Sequence, residues 1–317
     1  MLFPQIIRLL DAGQPVALCT LVRARGSTPQ RTGAQMLVTP SGETRGTLGG
    51  GCVEAEVRSR AMGLLARGES RLLTFRLDSD YGWDDGLICG GNMDVYVHSL
   101  VTPGDAGPLA EVEAALAGRR AAVYSFAYAT DAGEARTFSQ TLEPVPRLIL
   151  AGAGHVGQAL AAVVRGLEFA VSVIDDRPDF LSAERFPGTT LLAGDIEATL
   201  RAYPIDPFTY VVIVTRGHKN DGRALGAVIG SEAKYLGLIG SKRKIVTILR
   251  ELAGQGVARE RLAAVHAPIG LDIGAVTPGE IAVSIAAELV AVRRGKGAGA
   301  GGSMRMGETA WRAAAGE

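Results

Sequence analysis

Arg147-Leu148-Ile149-Leu150-Ala151-Gly152-Ala153-Gly154-His155-Val156-Gly157 decides the reading of the second half of this chain. Residues 147–150 form an apolar run of strand length, and helical spacing follows the glycines to about residue 166. Glycines in this pattern suit a tight turn, close approach of backbone to a ligand, and close packing of helix on strand. A second apolar run at 171–174 ends in Asp175, about 20 residues on, where an acid receives a ribose hydroxyl in dinucleotide-binding units. Gly152, Gly154, Gly157 and Asp175 are therefore candidate cofactor-binding residues, with NAD or another nucleotide as the ligand. The competing reading is that the glycines pack helix against sheet and bind nothing. Runs at 190–192, 210–215 and 235–239 continue the alternation of buried strand and helix. Together they predict an α/β fold with a Rossmann-like, doubly wound parallel sheet over 147–294.

In such a sheet the carboxyl ends of the strands form the ligand crevice. The loops expected there are Thr215-Arg216-Gly217-His218-Lys219-Asn220-Asp221, Gly240-Ser241-Lys242-Arg243-Lys244, and His266-Ala267-Pro268-Ile269-Gly270-Leu271-Asp272. His155, His218 and His266, three of the four histidines, fall in or beside these loops, and with Asp221 they are candidate site residues. Histidines converging on one crevice can hold a metal, move a proton or contact phosphate. Thr277-Pro278-Gly279-Glu280 reads as a capped helix start. Residues 295–317 read as a glycine-rich linker and tail.

Upstream, Pro144-Val145-Pro146 marks a domain boundary, because paired prolines stiffen a linker and cannot continue a helix. The preceding domain, placed at 1–142, is read as mixed α/β. Its centre is Gly49-Gly50-Gly51-Cys52-Val53-Glu54, a glycine run leading into a helix over 52–67 whose apolar face is Val53, Val57, Ala61, Leu64 and Leu65. Amides at a helix start attract anions, and a thiol placed there is expected to carry thiolate character. Gly49, Gly50, Gly51 and Cys52 are accordingly candidate cofactor-binding residues, with Cys52 also a candidate metal ligand. Cys89, flanked by Gly90 and Gly91, is the second thiol candidate, and Cys19, inside an apolar strand at 16–22, is read as inert core. The loop at 23–31 is rich in arginines and hydroxyls, suited either to phosphate or to plain solvation. Asp80, Asp84 and Asp85 form either a hard-cation cluster or a solvated turn. A hairpin over 34–48, strands at 72–77, 93–100 and 121–128, and helices at 4–11 and 108–117 complete the domain.

Thirty-three basic and 33 acidic residues cancel, and aromatics make up 5% of the 317 residues, so neither electrostatics nor stacking points to nucleic acid. No apolar run has the length of a membrane span and no secretory leader is evident, which leads to the expectation of a cytoplasmic protein. Three cysteines in a reducing compartment argue against a disulfide framework.

These segments, taken in order, resemble the XdhC/CoxI family of xanthine dehydrogenase accessory proteins. The matching stretches are Gly26-Ser27-Thr28-Pro29, Gly49 through Glu54 and Cys89-Gly90-Gly91 in the first half. In the second they are Gly152 through His155, Thr215 through Asp221, Leu238-Ile239-Gly240-Ser241, and His266 through Glu280. The resemblance implies an N-terminal XdhC/CoxI domain joined to a Rossmann-like domain. It also implies a chaperone that binds molybdenum cofactor (molybdopterin), protects it while a cysteine desulfurase adds sulfur, and passes it to an apo xanthine dehydrogenase-type molybdenum hydroxylase. A homodimer is implied too. The alternative from the residues alone is an NAD(P)-dependent oxidoreductase using the Gly152 loop.

Overall fold

The computed structural model describes residues 2–77, 91–130 and 132–296, apart from the side chain of His218. Asp80, Asp84, Asp85, Cys89 and the tail from residue 297 lie outside the described residues. The chain divides at the Pro144–Val145 bond into two compact units, each described by itself.

The first unit runs α1 (Phe3–Asp11), β1 (Val16–Arg25), β2 (Gln35–Val38), β3 (Thr44–Gly46), α2 (Gly51–Leu65), β4 (Arg71–Arg76), β5 (Asn92–Leu100), α3 (Gly107–Ala117), β6 (Ala122–Ala129) and β7 (Ala135–Leu142). Five antiparallel strands form one sheet in the order β3-β2-β1-β5-β4. Alternation along β1 sends Ala17, Cys19 and Leu21 to one face, where Val53, Val57, Ala61, Leu64 and Leu65 of α2 cover them. It sends Val16, Leu18 and Val22 to the other, under α1, α3 and the β6–β7 hairpin. The five α2 residues are the ones its apolar spacing singles out. Strand β7 was not expected: Ala-Arg-Thr-Phe-Ser-Gln-Thr-Leu is polar and mostly exposed, with Phe138 its one fully buried residue, so it carries little apolar alternation. Its pairing with β6 in full register, rather than its own composition, makes it a strand.

The second unit runs β8 (Arg147–Ala151), α4 (His155–Val164), β9 (Ala170–Asp175), β10 (Thr190–Ala193), α5 (Ile196–Ala202), β11 (Thr209–Ile213), α6 (His218–Val228), β12 (Tyr235–Leu238), α7 (Lys242–Gly254), α8 (Arg259–Ala264) and α9 (Pro278–Arg293). Its strands are all parallel, in the order β10-β9-β8-β11-β12. His266 adds a parallel bridge to Gly237 beyond β12, donating to Leu236 O at 2.8 Å and accepting from Leu238 N at 3.0 Å. Strand β8 is central, and the chain moves outward on one side through β10 and on the other from β11, which places a topological switch point between β8 and β11. The sheet is doubly wound: Ile149, Val211 and Ile213 face α5, α6, α7 and α8, while Leu148, Leu150, Tyr210 and Val212 face α4 and α9.

Candidate functional site

In the first unit, the segment 25–31 touches both the glycine run that leads into α2 and Gly91. Gly49, Gly50 and Gly51 have φ of +119°, +78° and +67°, a left-handed run that side chains rarely adopt. A β-carbon on Gly49 would lie 2.5 Å from Pro29 Cβ, so the 26–31 loop rests on this glycine. A β-carbon on Gly91 would lie 2.3 Å from Ser27 O and 2.8 Å from Arg25 O, so the same loop also presses on the segment that follows Cys89. Gly51 is different: no heavy atom lies within 4 Å of the position a β-carbon would take. Glu54 turns back to accept Leu48 N at 2.9 Å, and Thr47 Oγ1 accepts Gly49 N at 3.0 Å, which fixes the approach to the helix. Cys52, the second residue of α2, is half-buried beside this open glycine. Cys19 is fully buried beneath α2, and burial pushes its thiol up to about 12. The arrangement gives an anion close access to helix amides next to a sulfur atom.

In the second unit, the three glycines separate by role. Gly152, at φ +121°, packs against Val214, whose carbonyl oxygen would sit 2.5 Å from a β-carbon there, and a β-carbon on Gly157 would meet Gly152 O at 2.2 Å. Both serve packing of helix and loop on the sheet. Gly154, the residue before α4, has nothing within 4 Å and is the glycine past which a ligand could approach.

Asp175 is committed internally. Its carboxylate accepts Ala153 N at 2.7 Å and pairs with both Nε (2.8 Å) and Nη2 (3.0 Å) of Arg177, whose guanidinium lies 3.6 Å over the Phe180 ring. Burial opposes the charge, but hydrogen bonds from Arg177 and from Ala153 N–H outweigh it and hold the carboxyl below its usual range. The carboxylate expected to receive a ribose hydroxyl thus already accepts from Arg177 and from Ala153 N.

The three histidines do not share one environment. His155 is exposed at the first turn of α4, and His218 opens α6. His266, 7% exposed, packs against Tyr235 with ring centres 4.4 Å apart, and its Nδ1 lies 3.1 Å from Glu288 Oε1. Glu288 also accepts Tyr235 OH at 2.5 Å and Gly270 N at 2.9 Å. His266 therefore belongs to a buried polar knot beneath α9, because the sheet edge it extends turns its ring toward that helix. Asp221 is fully buried, accepts Thr215 Oγ1 at 2.5 Å and pairs with Lys244. Arg177 and Glu288 are not marked by the sequence reading, and Pro29 and Lys244 enter it only as members of their loops. Glu288 alone had a local signal: with Ser284 it is a polar pair at helical spacing within the otherwise apolar face of α9. Among the described residues no group of histidine, cysteine and carboxylate side chains is placed to hold a metal, and no helix is long and apolar enough to cross a membrane.

A glycine-cradled helix start beside a thiol in one unit, and a Rossmann-type parallel sheet in the other, define a two-unit α/β protein. The chain belongs to the XdhC and CoxI family: that family's model matches residues 9–76, and the model of the XdhC Rossmann domain matches residues 148–289. It is 34% identical over 294 residues to the uncharacterized protein YqeB of Escherichia coli (strain K12), covering 92% of this chain but 46% of that one, so it spans about half the length of that relative. It is 27% identical to a probable xanthine dehydrogenase subunit of Bacillus subtilis (strain 168), covering 90% of this chain and 96% of that one. It is 26% identical to the molybdenum cofactor insertion chaperone PaoD of Escherichia coli (strain K12), covering 90% and 86%. The fold matches a solved structure described as a xanthine dehydrogenase from Bacillus halodurans, with a TM-score of 0.79 at 24% identity over 95% of this chain and 98% of that one.

Proposed function

We propose that this protein binds molybdenum cofactor as cargo, shelters it while sulfur is added, and inserts it into a xanthine dehydrogenase-type molybdenum hydroxylase. The relatives described as an insertion chaperone and as a xanthine dehydrogenase subunit support the coarse reading. The observation that carries it to named residues is the open Gly51 at the start of α2, beside Cys52 and after Gly49, on which Pro29 of the 25–31 loop rests. A pterin dithiolene with a phosphate tail needs amide donors, close backbone approach and a soft ligand; the helix start supplies the first two and Cys52 the third. A cysteine desulfurase as sulfur donor and a homodimer as the working assembly belong to the same proposal. A nicotinamide-dependent oxidoreductase draws no comparable support, since Asp175 already pairs with Arg177.

The test compares wild type with Cys52→Ser, Cys89→Ser and Cys19→Ser, purified from a molybdate-replete host. Pterin released per protomer is read by fluorescence, and activation of an apo-hydroxylase is read alongside. Cys52→Ser should retain less cofactor and activate less enzyme at an unchanged melting temperature. If it equals wild type in both assays, the thiol has no role and the glycine amides alone must hold the cargo. A monomer by light scattering at micromolar concentration removes the homodimer.

A further inference from the structure

One ion pair of the second unit joins Asp221, a candidate site residue, to a lysine that the proposed function does not use. Asp221 on α6 is 0% exposed, with one carboxylate oxygen on the Thr215 hydroxyl at 2.5 Å and the other on Lys244 Nζ. Polar groups buried to this degree are costly without such partners. Lys244 is not sealed in: its side chain is 25% exposed. Its stem crosses Gly240, where a β-carbon would lie 3.0 Å from Lys244 Cδ, so the glycine makes room for the lysine. An ammonium carries three protons, so pairing with one carboxylate leaves donors for a ligand.

The pair is continuous with the glycine loop. Gly152 packs on the Val214 carbonyl and lies close to Thr215 N; Thr215 holds Asp221; Asp221 holds Lys244; Lys244 lies on Gly240. These contacts make one floor across the carboxyl ends of β8, β11 and β12, at the switch point. The two loops at these strand ends are basic in sequence: residues 215–221 and 240–244 carry five lysines and arginines (216, 219, 242, 243 and 244) against Asp221, with Arg216 reaching Asp176 at 3.5 Å. On the β9 side, by contrast, Asp175 is already paired with Arg177. Stability alone gives no reason to keep such a pair, because a buried ion pair is often replaced by apolar residues without loss.

We infer that Lys244, held by Asp221 and Thr215, is the anchor of a phosphate-binding subsite in this crevice, and that its ligand is a small molecule carrying a diphosphate. Lys244 and the open backbone at Gly154 are the two ends of the floor that attract anions. A nucleoside diphosphate and a pterin cofactor whose phosphate tail is extended by a nucleotide share this chemistry. The subsite stands whether or not the protein carries molybdenum cofactor, because its probe is inorganic pyrophosphate.

Calorimetry on the full chain at low salt, with sulfate at matched ionic strength as control, tests it. Wild type should bind pyrophosphate in preference to sulfate, and Lys244→Gln should weaken binding by about tenfold or more, as expected for losing one charge-assisted hydrogen bond. That variant strands a buried carboxylate, so the double variant Asp221→Asn/Lys244→Gln is measured beside it, with thermal unfolding to report its fold. It too should lose pyrophosphate. ADP binding that exceeds pyrophosphate and falls in the double variant assigns the subsite to a nucleotide; loss of retained pterin with ADP unaffected assigns it to the cofactor tail. Absence of pyrophosphate binding by wild type, or wild-type binding by the folded double variant, overturns the inference.

Discussion

Gly154 and Gly157 lie three residues apart and answer opposite demands. A methyl group on Gly157 would be driven into Gly152 O, 2.2 Å away, whereas one on Gly154 meets nothing within 4 Å. Gly157→Ala should therefore cost about 1–3 kcal/mol, and Gly154→Ala, at an ordinary negative φ, should change stability by less than about 0.5 kcal/mol. Urea unfolding of the two variants checks this, and equal destabilisation would refute the division of roles. Cys19 offers a second contrast. Fully buried, with its thiol pushed up to about 12, it should resist alkylation at pH 8 until the chain unfolds, and Cys19→Ser should cost about 1–3 kcal/mol by placing a hydroxyl in the core. Glu288 makes acid stability a local matter. Burial raises its pKa, but hydrogen bonds from His266, Tyr235 and Gly270 prevail and bring it to about 2, against an ordinary 4.5. A depressed carboxyl contributes its full stability above the unfolded pKa and loses it as pH falls through the folded one. Wild type should thus lose stability between about pH 4.5 and pH 2, and Glu288→Gln should be less stable at pH 7, by an amount of order 3 kcal/mol, with a shallower decline over that window. Denaturant midpoints measured across pH decide it.

At the scale of elements, α2 and α9 start by different devices because their starts do different things. Helix α9 is closed off by side chains: Thr277 Oγ1 accepts Glu280 N at 3.3 Å, and Glu280 accepts both Val276 N and Thr277 N at 2.8 Å. This reciprocal cap satisfies amides that would otherwise need water. Helix α2 begins after Gly50 with no side-chain cap, and Glu54 is turned back onto Leu48 rather than onto the helix start. Thr277→Ala should therefore lower stability by about 1 kcal/mol, with Thr277→Asp close to wild type. Thermal melts of both variants test the cap, and an unchanged melting temperature for the alanine would show that α9 is held by its packing alone.

At the scale of the molecule, each unit has its own cores on both faces of its own sheet. Leu148, Leu150, Val211 and Val212 are 0% exposed in the second unit, as are Ala17, Cys19 and Leu21 in the first. A fragment spanning residues 145–296 should consequently fold by itself and unfold cooperatively, which calorimetry and near-ultraviolet circular dichroism can check. A fragment that stays unfolded would show that its sheet depends on the rest of the chain. The pyrophosphate subsite provides a functional reading of the same fragment, since Gly152, Thr215, Asp221, Lys244 and Gly240 all lie within it.

The sequence by itself determined the α/β class, the parallel sheet of the second half and the apolar face of α2, because those follow from local periodicity. Runs such as Leu148-Ile149-Leu150 and the spacing of Val53, Val57, Ala61 and Leu64 encode burial directly. It also marked the glycine runs, since a chain that needs positive φ has few residues to choose from. Which glycines pack and which stand open was decided by tertiary structure, because that depends on what sits opposite: Pro29 on Gly49, Val214 on Gly152, nothing on Gly154. The same holds for the polar side chains. Asp175 ends its strand where a ribose acceptor belongs, yet Arg177 folds onto it; His266 leaves the histidine group for Glu288, which is 22 residues away in sequence. Strand β7 formed by pairing with β6, and Lys244 gained its meaning from Asp221 on a neighbouring helix. Periodicity records how each residue meets its own element, whereas hydrogen-bond partners are chosen among groups that only the folded chain brings together.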